Sequence, residues 1–293
     1  MADPATPLDS DWLRAHPLPQ PEPGTDKNGR GRVLAVGGCA QVPGGLLLTA
    51  EGALRAGAGK VQIATVRSAA LAIGMAMPEV RVIAQDEGAD GEILALGQSA
   101  LDTLGKCDAA IVGPAMICEE AAGRAIDAIL DAKCTATIVI DAAALMSLPS
   151  RASRLRKRER PVVLTPHIGE IAALLECGAD EIERDRIGGV LRAAEHFGAV
   201  VVLKGETSLI ADREGRLLSF AGGGVGLATG GSGDVQAGIA AGLAARGAEP
   251  LVAAAWAVWL HGEAGRRCAE QIGPLGFLAR ELLAHVPSLM RGV

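Results

Sequence analysis

A chain of 293 residues, 49% of them hydrophobic, is long enough for one large α/β domain or two small ones. Only 2% are aromatic and none is Tyr, so the core must be aliphatic and Ala-rich, and a bound base finds no aromatic cage. A net charge of −6 with no broad basic patch argues against nucleic acid as a partner.

Residues 1–24 hold many of the prolines and read as a mostly extended arm, with Trp12 and Leu13 docking on the body or on a neighbouring subunit. The first residues are acidic and Pro-interrupted, which is unlike a signal peptide. The longest apolar stretch, Leu251 to Leu260, falls well short of the roughly 18 residues of a membrane span. Six scattered cysteines (39, 107, 118, 134, 177, 268), none in a CxxC pair, fit reduced thiols. The expectation is a cytoplasmic protein that meets no membrane. The basic run from Arg151 to Arg160 reads as a solvated face.

From residue 25 onward an α/β rhythm is expected, in a single domain to residue 293. Strands are predicted at Arg32–Val36, Lys60–Thr65, Val80–Ile83, Ala109–Val112, Ala136–Ile140, Val162–Thr165 and Ala199–Leu203. Between them lie helical stretches from Gly45 to Arg55, Ser68 to Met77, Gln98 to Leu104, Glu119 to Leu130, Glu170 to Leu175 and Ile182 to Phe197. Ser208–Ala211 and Arg216–Ser219 read as a hairpin, an antiparallel edge to the sheet. Three helices follow, at 234–246, 250–268 and 276–285. Short aliphatic strands alternating with helices mean a mostly parallel sheet covered on both faces.

Between hairpin and helices runs Gly222 to Gly242, in which nine of 21 positions are Gly. A helix starting near Gly233 would turn its free N–H groups and partial positive charge back into that loop, a site for phosphate. The one ionisable group there is Asp234. It is either a cap of the helix or a base that takes a proton from a substrate hydroxyl while the loop holds a phosphoryl group. A run of glycines exceeds what a cap requires.

In such sheets ligands bind beyond the carboxyl ends of the strands. The predicted exits carry Gly37-Gly38, Gly113-Pro114, Asp141, Thr165-Pro-His167 and Lys204-Gly205. Each has a structural reading as a turn, cap or solvated residue; their coincidence on one rim points to a site. Lys204 can reach a phosphate as a point charge. There is no G-x-x-x-x-G-K-[ST], and no G-x-G-x-x-G follows the first strand, which excludes P-loop and Rossmann chemistry.

Thr229-Gly-Gly-Ser-Gly-Asp234 resembles the GSGD signature of ribokinase-like small-molecule kinases. Leu164-Thr-Pro-His-Ile-Gly-Glu170, Val202-Leu-Lys-Gly205 and Pro43-Gly-Gly-Leu46 narrow the resemblance to the ADP-dependent NAD(P)H-hydrate dehydratases, in a form without the epimerase domain. It spans about Lys27 to Val286. It implies a ribokinase-like three-layer sandwich and the dehydration of (S)-NADHX and (S)-NADPHX, with ADP as phosphoryl donor and Mg²⁺ as the metal. It further implies Asp234 as base and Gly231, Ser232 and Gly233 as the oxyanion site. By the same carry-over, Gly45, Gly113 and His167 would contact the hydrated dinucleotide. Lys204, Gly205, Glu206, Thr207 and Ser208, with Gly233, would hold the AMP part of the nucleotide. No dedicated protein metal ligands are expected, and a homo-oligomer is, with a tetramer as one form. Gly224-Val-Gly226, Ile168, Ala115 and Asp141-Ala-Ala-Ala-Leu145 depart from the family pattern. Two other readings stand beside it: a kinase of a hydroxymethylpyrimidine or thiazole on the same fold, and a nucleotide-binding regulatory protein.

Overall fold

The computed structural model describes residues 5–132 and 134–293; the first four residues of the expected arm lie outside them. Among these residues eleven strands form one sheet: β1 (Thr6–Pro7), β2 (Arg32–Val36), β3 (Lys60–Val66), β4 (Arg81–Glu87), β5 (Ile93–Ala95), β6 (Ala109–Val112), β7 (Thr137–Ile140), β8 (Val163–Leu164), β9 (Val200–Leu203), β10 (Thr207–Ala211) and β11 (Leu217–Ala221). Their order is β1-β11-β10-β9-β8-β7-β6-β2-β3-β4-β5. From β4 across to β9 every neighbour is parallel. The central strands are buried along nearly their whole length, as four-residue runs such as Ala109–Val112 and Thr137–Ile140 require when helices cover both faces.

The chain leaves β2 in one direction to build β3 and β4, then returns beside β2 as β6 and continues the other way. This reversal between β2 and β6 opens a crevice at the carboxyl ends, the usual ligand position in such sheets. Over it lies the helix Ser232–Ala245, packed against the helix Gly45–Arg55. Small residues let the two backbones touch. A Cβ on Gly52 would lie 2.9 Å from the Val235 carbonyl oxygen, one on Gly242 2.5 Å from that of Ala53, and one on Gly238 would overlap that of Thr49. This contact fixes Gly45 against the first turn of the second helix.

Several elements differ from expectation. The hairpin β10–β11 is antiparallel, but it is not the edge: β1 adds outside β11 in parallel register, Thr6 opposite Leu218. The Pro-rich arm is accordingly not simply extended. It contains the helix Ser10–Ala15, capped by Asp9, with Leu13 buried and Trp12 against the core. At the other edge β5 pairs antiparallel with β4, in a stretch for which no strand was expected. The stretch 182–197 is two helices, Ala179–Arg184 and Arg186–Phe197, because Asp185 turns out of helical geometry and caps the second through the Gly188 amide at 2.8 Å. The predicted helix at 276–285 is two short ones, Ala279–Leu282 and Val286–Arg291. All six cysteines are free thiols. No helix among the described residues is long and apolar enough to cross a membrane.

Candidate active site at the sheet crevice

The parallel strands β2, β6, β7, β8 and β9 end side by side, and their next residues form one rim: Gly37, Gly113, Asp141, Thr165 and Lys204. Gly113 has φ of +112°, and a Cβ there would overlap the Asp141 carbonyl oxygen, so only Gly lets β6 exit this close to β7. Asp141 is buried. Its Oδ1 accepts from Thr165 Oγ1 at 2.7 Å and pairs with Lys204 Nζ at 3.0 Å. Burial opposes the Lys204 charge, but Asp141, Glu170 and Asp234 together hold its pKa above the ordinary value.

The glycine loop enters its helix one or two residues earlier than expected. Gly231, at φ +86°, occupies the N-cap, and Ser232 and Gly233 are the first helical residues. Asp234 is therefore the third residue of the helix and not its cap. Its half-buried carboxylate accepts no hydrogen bond among the described residues. Burial, reinforced by the charge of Asp141 and offset in part by Lys204, pushes its pKa from 3.8 to about 7. A Cβ on Gly233 would sit 3.6 Å from Lys204 Nζ and 3.8 Å from Asp141 Oδ2; one on Gly45 would sit 3.0 Å from Asp234 Oδ2 and 2.8 Å from Ala115 Cβ. Gly45, Gly113, Gly231, Gly233, Asp234, Asp141 and Lys204 thus surround one crevice, with the free N–H groups of a helix at its floor.

Ser232 is buried, its hydroxyl 2.8 Å from His261 Nε2 on the helix Pro250–Gln271. Burial lowers the His261 pKa to about 4, so the ring is neutral at pH 7 and adds no cation beneath the loop. His167 lies on the rim but does structural work there. Its Nδ1 accepts from the Gly169 and Glu170 amides, while Glu170 accepts from the His167 amide at 2.7 Å, a capping box for the helix Ile168–Leu174. The imidazole stays 60% exposed at its edge, free to meet a ligand.

After Lys204, residues Gly205 and Glu206 turn the chain into β10, which begins at Thr207 and Ser208. Arg186 backs this turn: its guanidinium donates to the Thr207 carbonyl oxygen at 2.8 Å and lies so close to Gly205 that a Cβ would overlap it. Among the described residues, neither the Glu206 nor the Ser208 side chain bonds to a residue of the crevice. Three residues outside the motifs support the site: His261, Arg186 and Glu92. Buried Glu92 accepts from the Ile117 and Cys118 amides at 2.8 and 2.9 Å, tying down the chain that leaves Gly113. Each is remote in sequence from what it holds.

No group of three or more His, Cys, Asp or Glu gathers as a metal cage among the described residues. The donor set does fit a hard cation carried on phosphates, which needs one or two carboxylates. Both partners of Asp141 use Oδ1, leaving Oδ2 toward Gly233.

A sequence profile described as NAD(P)H-hydrate dehydratase matches residues 33–288. The chain belongs to the NAD(P)H-hydrate dehydratase family. It is 45% identical over 280 residues to an ADP-dependent (S)-NAD(P)H-hydrate dehydratase from Xanthomonas campestris, covering 95% of this chain and 93% of that one. It is 37% identical to a bifunctional NAD(P)H-hydrate repair enzyme of Moorella thermoacetica, but spans only 54% of that protein. A crystal structure of the ADP/ATP-dependent NAD(P)H-hydrate dehydratase of Bacillus subtilis, co-crystallized with ATP and Mg²⁺, is similar at a TM-score of 0.82 and 27% identity, covering 99% of both chains. The ribokinase-like α/β architecture and the family expected from the motifs both hold.

Proposed function

We propose that this chain dehydrates (S)-NADHX and (S)-NADPHX to NADH and NADPH with ADP as phosphoryl donor. The observation that carries the chemistry is Asp234: a half-buried carboxylate with no hydrogen-bond donor among the described residues, its pKa raised to about 7, beside helix N–H groups and Lys204. A general base works best with a pKa near the operating pH. The family membership directs that base to the hydrated nicotinamide ring.

In this reading Asp234 takes the proton of the ring hydroxyl as its oxygen attacks the terminal phosphorus of ADP, and AMP departs. The amides at Gly231 to Gly233 stabilise the charge on the transferring phosphoryl, and Ser232 is held in place by His261. The phosphate ester then leaves with the C–O electron pair, the neighbouring ring carbon loses a proton, and the dihydropyridine is restored. Lys204 contacts the nucleotide phosphates, and Gly205 to Ser208 form the wall on which the AMP part lies. Gly45, Gly113 and the exposed His167 ring face the dinucleotide. Mg²⁺, where bound, would be held by Asp141 Oδ2 and the phosphates and would neutralise phosphate charge. We place this enzyme in the cytoplasm, as a homo-oligomer.

Gly45 and Ala115 present nothing larger than a methyl group beside Asp234, which suits a large dinucleotide better than a small alcohol held by a stacking ring. The test is recovery of the NADH absorbance band from NADHX on addition of ADP, with ATP and nucleotide-free controls. No recovery with either nucleotide, together with stable phosphorylation of a hydroxymethylpyrimidine, would return the chain to the kinase reading.

A further inference from the structure

At the opposite end of the sheet, where β2, β3 and β4 begin, lies a cavity of about 400 Å³. Its lining carries four cations, Arg32, Lys60, Arg81 and Lys106, and one acid, Asp102. Strand register forces the crowding. Arg32 stands directly opposite Lys60, and Arg81 opposite Gln62, two residues along β3 on the same face as Lys60. Like charges directly opposite one another in a sheet repel.

The neighbouring acids relieve this only in part. The Asp102 carboxylate takes a hydrogen bond from Gln98 at 2.7 Å, and Asp108 reaches Arg32 Nε only at 3.5 Å while accepting the Arg32 amide at 2.8 Å. Arg81 has only long contacts, 3.5 Å each, to Gln62 Oε1 and Ser99 Oγ. Lys60 and Lys106 pair with no carboxylate among the described residues. In a chain of net charge −6, a cluster of four cations of which, among the described residues, only Arg32 has a carboxylate partner, and that at 3.5 Å, suits an anion.

We infer that this cavity is a second ligand site, distinct from the crevice, for a small phosphorylated anion of at least two negative charges. Gln62, Gln98, Ser99 and Thr103 supply neutral hydrogen-bonding groups around the cations, and no aromatic ring lines it. Recognition therefore falls on the phosphates and not on a base. β3 runs four residues beyond Gln62, which lines the cavity, before it ends at Val66, roughly 13 Å at strand rise, so its occupant does not touch Asp234.

The test is calorimetric titration with inorganic pyrophosphate and, in a second arm, with ADP. Wild type is compared with the Lys60→Ala/Lys106→Ala pair and with Lys157→Ala, an exposed lysine elsewhere, as charge control. The double variant should lose pyrophosphate binding at one site by tenfold or more, while Lys157→Ala retains it and NADHX repair at saturating ADP is unchanged in both. A second equivalent of ADP in wild type, absent in the double variant, identifies a nucleotide as occupant; its absence leaves a free phosphate compound. Identical pyrophosphate isotherms for wild type and the double variant would overturn the inference, as would an equal loss in Lys157→Ala.

Discussion

Replacing Asp234 by Asn should disable the enzyme and stabilise it at the same time. The raised pKa has a stability cost: between pH 3.8 and about 7 the native state keeps a proton that the unfolded chain has lost. Stability therefore falls as pH rises through that window, and above it the ionised carboxylate is disfavoured by roughly 4 kcal/mol at about 1.4 kcal/mol per unit. Asn cannot ionise, and with the partial exposure of the carboxylate discounted a gain of about 2–4 kcal/mol is expected at pH 8. For a chain of this size that is a rise in Tm of about 4–8 °C. At pH 4 the two proteins should melt together. Turnover should meanwhile fall by about two to four orders of magnitude, the scale of a lost general base. Thermal melts at pH 4, 6 and 8, with NADH recovery assays on the same samples, decide the matter. A variant no more stable than wild type at pH 8, or one keeping more than about a tenth of its activity, would refute the assignment.

Three further outcomes follow from the same geometry. The pH profile of kcat/KM should rise through the Asp234 pKa, near 7, and Asp141→Asn should move that limb to lower pH, because Asp141 raises the Asp234 pKa and its removal frees Lys204 to lower it further; an unmoved limb would show that the two carboxylates do not interact. Gly45→Ala should cut repair sharply by pressing a methyl group to 3.0 Å from Asp234 Oδ2, whereas Gly44→Ala meets nothing within 4 Å and should leave it intact. Arg186→Ala should raise the KM for ADP with kcat little changed and the NADHX KM unaffected, since the guanidinium holds the Thr207 carbonyl and backs Gly205; steady-state kinetics with each substrate varied would separate this from a general loss of fold.

The rim of the site was legible in sequence because each central strand is an aliphatic run that stops at a residue of a different kind: Gly113 after Val112, Asp141 after Ile140, Lys204 after Leu203. What those residues do to one another was not. Asp141 reads as a cap or strand end, and only the parallel neighbours β7, β8 and β9 bring Thr165 and Lys204 to its carboxylate. His261 is a polar residue in an apolar helix, and nothing local ties it to Ser232, 29 positions earlier. Asp185 breaks a helical pattern whose hydrophobic period runs on regardless, because the break depends on its own backbone geometry and its cap. The strand β1 is two residues long in a Pro-rich segment, too short for any periodicity to register.

The most direct test of the central claim is product accounting. NADHX and ADP are incubated with the protein, and NADH, AMP and inorganic phosphate are quantified together over time. Phosphorylation followed by elimination predicts all three in equal amounts, with no phosphorylated dinucleotide accumulating and none of them formed by Asp234→Asn. NADH appearing without AMP, or ADP consumed to give a stable phosphate ester, would contradict it.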